Sequence, residues 1–138
     1  MAFKQARRRE DDIAVVNACF KVALGKGGVV QSCSLIYGGR APVTKRAALT
    51  EQAIAGQTWD SDLLERAMGA IPRDFPLDSD VPGGMPEYRQ TLTMSLFYKF
   101  YTVVCGRLAR EVRQPQSGWG VCLCVQGFRR HTDKQALL

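Results

Sequence analysis

The stretch FKQARRREDD, residues 3–12, places three consecutive arginines directly before three consecutive carboxylates. Charges of both signs at such close spacing can set the sign of the field around a bound group, and a shift of a few ångströms would change it. The ordinary use of such a run is a solvated loop, because Arg and Asp side chains are rarely buried. Two other groupings carry less. GKGG at residues 25–28 lacks the Gly-x-x-x-x-Gly-Lys-Ser/Thr spacing that cradles phosphates between a strand and a helix. Cys122-x-Cys124 with His131 lacks the second ligand pair of a zinc site, so no metal ligand and no catalytic residue is assigned.

Composition bounds the class. The chain has 138 residues, 46% of them apolar, and a net charge of +6, enough for one packed domain or a subdomain of something larger. Basic residues are spread thinly, with no aromatic-and-basic stripe for stacking bases, so nucleic acid is not an expected partner. Five cysteines without a repeating spacing, and with no signal peptide before them, fit free thiols in a reducing compartment. The longest apolar run, 92–104, contains Lys99 and is too short to cross a bilayer, so no membrane partner is expected.

The elements that must position these residues are legible as an α+β pattern. Between residues 13 and 24 the even positions Ala14, Val16, Ala18, Phe20, Val22 and Leu24 are all apolar, a period of two that predicts a strand with one buried face. GKGG supplies glycines for a turn, and VVQSCSLIYGG resumes β-rich sequence, giving an antiparallel hairpin. A short third strand near residues 43–48 passes into a helical turn ending at Gly56. Ser61 is the expected N-cap of a helix with Leu63, Leu64, Ala67, Met68 and Ile71 on its apolar face, limited by Pro72. After the loop RDFPLDSDVPGGMP, Pro86 opens the clearest helix, whose stripe runs Tyr88, Leu92, Leu96, Phe100, Val103 or Val104, and Leu108. The expected architecture is a small three-stranded antiparallel sheet packed against a helical layer. Residues 111–138 show no sustained period and read as a divergent, weakly ordered tail.

Three segments in this order, FKQARRREDDIAVVNACFKV, LIYGGRAP and PGGMPEYRQTLTMSLFYKFY, closely resemble the C-terminal part of the FAD domain in the xanthine dehydrogenase family of eukaryotic molybdo-flavoenzymes. The most specific elements are the FKQA-x-RREDD pattern, where the related aldehyde oxidases usually carry arginine in place of Lys4 and lose the paired aspartates, and PGGM before the long helix.

The resemblance implies that residues 1–110 are a C-terminal subdomain of a flavin-binding domain. It implies Lys4 as a contact to FAD, with Arg8 and Asp11 on a loop bordering the flavin face that governs access of NAD. In the full-length family, molybdopterin, two 2Fe–2S clusters and FAD carry electrons from hypoxanthine or xanthine to NAD or oxygen. The implied partners are the rest of the FAD domain, the iron–sulfur and molybdenum domains, and a second subunit. The implied place is the cytoplasm, or the peroxisome. The glycine-rich phosphate contacts, the cluster cysteines and the molybdenum site belong to other segments of the family. The expectation is therefore a fragment, from a truncated gene model or an alternative transcript, inactive alone and holding part of an FAD site. The alternative from another class is a stand-alone protein-interaction domain without redox activity.

Overall fold

A computed structural model describes residues 1–7, 11–77, 79, 80 and 82–113. Four antiparallel strands, β1 (Ala2–Ala6), β2 (Ala14–Leu24), β3 (Val30–Gly38) and β4 (Lys45–Arg46), pair in chain order. Helices α1 (Ala48–Ile54), α2 (Ser61–Asp74) and α3 (Pro86–Arg113) follow.

The predicted hairpin is β2–β3, turning through a short 3-10 segment at Lys26–Gly28 where Gly27 and Gly28 both take positive φ. Val16, Ala18, Phe20, Val22 and Leu24 are buried as the alternation requires. They face Leu96, Phe97, Phe100 and Val104 of α3 in a single core. Phe20 is its aromatic centre, with ring centroids 4.9 Å from Tyr37, 5.3 Å from Phe100 and 5.6 Å from Phe3. These tilted and edge-on contacts suit the quadrupoles of the rings.

The sheet has four strands, not the expected three. The additional one, β1, contains Lys4 and was hidden because five residues with one large apolar side chain, Phe3, give no readable period. Its order comes from pairing with β2 and from seating Phe3 against the core. The N-cap of α2 is Asp60, not Ser61: its carboxylate accepts from Leu63 N at 3.0 Å. Pro72 does not end α2, which runs on to Asp74, since a proline this near a helix end removes only one backbone bond. Tyr88 of the expected apolar stripe is exposed, and Phe97 is buried in the core. The predicted tail, 111–138, lies outside the described residues apart from the last turn of α3.

Asp74 shows how α2 organises α1. Its buried carboxylate accepts from Leu49 N at 2.9 Å, Thr50 N at 2.8 Å and Thr50 Oγ1 at 2.6 Å. Ala47, which precedes α1, has no side-chain cap to offer. A residue distant in sequence thus satisfies the orphan amides of the first turn.

Candidate functional site: the helix-free face of the sheet

The described helices pack on one face of the sheet, through Phe20, Leu35, Tyr37 and their neighbours, so period two sends the alternate residues to the other. Because Phe3 joins the core, Lys4 projects to the opposite face, and it is exposed there. Its register partner is Asn17, whose own partner across β3 is Gly38. A Cβ on Gly38 would run into Asn17 Oδ1, so the amide of Asn17 lies across the bare glycine. Beside this row runs a second one of Ala2, Cys19, Ile36 and Arg46. The result is a shallow, exposed surface on which an ammonium and a carboxamide neighbour one another.

The end of the sheet next to Lys4 is unusually shaped. The register shifts between Gln5 and Ala6, which leaves Val15 as an extra residue on β2. Gly39 fits against this bulge at φ 77°, where a side chain would collide with the Val15 carbonyl. Beyond the bulge Asp11 and Asp12 take φ of 51° and 55°, left-handed conformations that aspartate tolerates better than most side chains, and both are exposed. Gly83, Gly84 and Met85, just before α3, are also left-handed. Arg89 lies against Gly83 and donates from Nη1 to the Gly39 carbonyl at 3.0 Å, while Arg7 Nη2 reaches Met85 Sδ at 2.7 Å. Arg7 thus links the segment before α3 to the β1–β2 connection, and Arg89 links α3 to the turn that follows β3.

Lys4 and Asp11, singled out in the sequence, belong to one hairpin: Lys4 stands on the open face and Asp11 at the turn. Arg8 lies outside the described residues. Asn17 carries no signal of its own in the sequence, and only the strand register places it beside Lys4. The described residues contain no group of three or more His, Cys, Asp or Glu able to hold a metal. None of the described helices is long and apolar enough to cross a membrane.

Comparison with known proteins supplies the context. The family profile described as the CO dehydrogenase flavoprotein C-terminal domain matches residues 1–104. The chain is 44% identical over 108 residues to a xanthine dehydrogenase of Emericella nidulans, covering 78% of this chain and 8% of that protein. It is 43% identical over 117 residues to the xanthine dehydrogenase/oxidase of Gallus gallus, covering 84% of this chain and 9% of the relative. A nicotinate hydroxylase of Emericella nidulans is 43% identical over 113 residues, covering 80% of this chain and 8% of its own length. The chain therefore spans less than a tenth of the length of these relatives. Among solved structures, a reconstituted CO dehydrogenase from Oligotropha carboxidovorans superposes with a TM-score of 0.59 at 22% identity, over 71% of this chain and 33% of the other. At that identity the likeness speaks to the fold.

Proposed function

This chain belongs to the CO dehydrogenase flavoprotein C-terminal domain family, and on that premise we propose that it is a xanthine dehydrogenase segment forming the C-terminal lobe of an FAD-binding domain, with Lys4 as its contact to the cofactor. The observation that carries the reading is the position of Lys4, exposed on the face of the sheet opposite the described helices.

The residues present suit part of such a cofactor. An ammonium beside the Asn17 amide offers donors to a phosphate, a ribityl hydroxyl or a ring carbonyl, and Gly38, lacking a side chain, lets that amide lie flat over the neighbouring strand. Bound FAD would accept electrons and hand them on to NAD or oxygen. Lys4 would hold positive charge against an electron-rich part of the ligand. Asp11 and Asp12, with Arg8 on the same connection, would set the sign of the field at the rim. A charge held close to the ring in a partly desolvated site would bias its redox equilibrium, the direction following the sign of the charge. Arg89 and Gly39 would keep that rim in place through the bulge at Val15.

In the complete protein this lobe would meet the rest of the flavin domain and, beyond it, iron–sulfur and molybdopterin domains that deliver electrons from purine hydroxylation. A homodimer in the cytoplasm, or in the peroxisome, is the corresponding assembly. The test is a chimera in which residues 1–104 replace the matching segment of the Gallus gallus relative. Stoichiometric flavin in the purified chimera is expected. A chimera that folds and fills its iron–sulfur sites yet holds no flavin would overturn the reading.

A further inference from the structure

The sequence gives Arg40 no special standing, since it follows Gly38-Gly39 in a segment that reads as a turn. In the fold it is 2% exposed, among the largest of the fully buried side chains. Its Nη2 donates to the Phe75 carbonyl at 2.9 Å and to Gln90 Oε1. Its Nε and Nη1 have no partner. Arg89 Nε and Gln90 Nε2 are likewise buried without one, and these four atoms are the whole set of such side-chain nitrogens and oxygens among the described residues. All four are donors. Arg89 bonds the carbonyl of Gly39, the neighbour of Arg40, and Gln90 bonds Arg40 itself.

A buried guanidinium ordinarily faces a carboxylate, because an unpaired buried charge is strongly unfavourable. Asp74, the one buried carboxylate among the described residues, is committed to the amides of α1 and the Thr50 hydroxyl. The ring of Phe75 lies 5.8 Å from the Arg40 guanidinium, a cation–π contact that offsets only part of the desolvation. Burial, reinforced by the charge of Arg89, pulls the Arg40 pKa down to about 10, so the group remains a cation at neutral pH. Gln90 and Phe75, which grip Arg40, also line a cavity of about 550 Å³ with Pro72, Leu77, Pro86 and Glu87, and Arg40 lies behind them, off its lining.

We propose that Arg40, Arg89 and Gln90 form a binding site for a small oxyanion, a phosphate or carboxylate, entered from the cavity behind Gln90 and Phe75. The head group takes the four unused donors, and an apolar body lies among the prolines, Leu77 and Phe75. Guanidinium forks match both head groups. Glu87 faces the same cavity and opposes an anion there. The site shares Arg89 with the rim beside the bulge at Val15, yet its anion-binding role does not rest on the flavin reading.

The test is thermal unfolding of the 138-residue chain in inorganic phosphate, with sodium chloride holding ionic strength constant. At about ten times its dissociation constant, a ligand of the native state raises Tm by roughly 5 °C in a domain of this size. Arg40→Met should begin at an equal or higher Tm, having lost a buried cation, and should gain nothing from phosphate. Glu87→Gln should strengthen the response. Phenyl phosphate and benzoate distinguish the head groups, and whichever raises Tm at the lower concentration names the class. Should Arg40→Met fail to fold, Gln90→Leu takes its place, with direct calorimetric titration of the wild-type chain. No response to any of these anions, or a response undiminished in the variant, overturns the proposal.

Discussion

Lys4 and Asp11 are exposed residues of one hairpin and fill no core volume. Lys4→Ala and Asp11→Ala are therefore expected to leave stability within about 0.5 kcal/mol. Their effects belong to the flavin-loaded chimera, where Lys4→Ala should weaken FAD retention and Asp11→Ala should change the flavin potential and the balance between NAD and oxygen. Potentiometric titration decides: unchanged flavin content, potential and oxidant ratio in both variants would return the run to the class of solvated charged loops. Cys33 offers a residue-scale test in this chain alone. Burial, aided by Glu51, pushes its thiol from the ordinary value of 9.0 up to about 11. Because the folded pKa lies above the unfolded one, the protonated thiol's contribution is fully present below about pH 9 and is lost as pH rises towards 11. Cys33→Ala should accordingly lose stability less steeply than the wild type between those values, as read from denaturation midpoints. Equal slopes would show that the thiol is not linked to folding there.

Among the elements, the β2–β3 hairpin and α3 share the largest aromatic cluster, and Phe20 joins them. Phe20→Ala should cost about 3 kcal/mol or more in equilibrium unfolding. A loss under about 1 kcal/mol would mean that the cluster collapses around the missing ring. Strand β1 depends on the same cluster through Phe3, whose seat against Phe20 is what sends Lys4 to the opposite face. The hairpin and α3 were readable because each has a long run of consistent period. Strand β1 was not, since its pairing with β2 comes from contacts remote in sequence. Asp60 and Ser61 are adjacent good caps, and only the backbone geometry chose Asp60. The turn of α2 past Pro72 is held by bonds that Asp74 accepts from the distant Leu49 and Thr50.

For the molecule as a whole, the family profile ends at residue 104, and residues 114–138 show no sustained hydrophobic period. Deleting them should leave Tm nearly unchanged. A marked drop in a calorimetric scan would show that the apolar patch between Trp119 and Val125 contributes to the core. The proposed lobe presents two different surfaces to the larger protein: the open sheet face with Lys4, and the cavity by α3 with Arg40 behind its wall.

The sequence by itself determined the α+β class, the central hairpin, the long aromatic helix and the family, because hydrophobic period and short motifs are local properties of the chain. It also marked Lys4 and Asp11, through the pattern they belong to. Only the tertiary structure decided that Lys4 lies in a strand, that Asn17 lies beside it, and that Arg40 is buried with Nε and Nη1 lacking an acceptor. Side-chain direction depends on strand register, and the demand of a buried charge depends on what surrounds it. Both are set by residues far apart in the chain, such as Lys4 with Asn17 and Arg40 with Gln90.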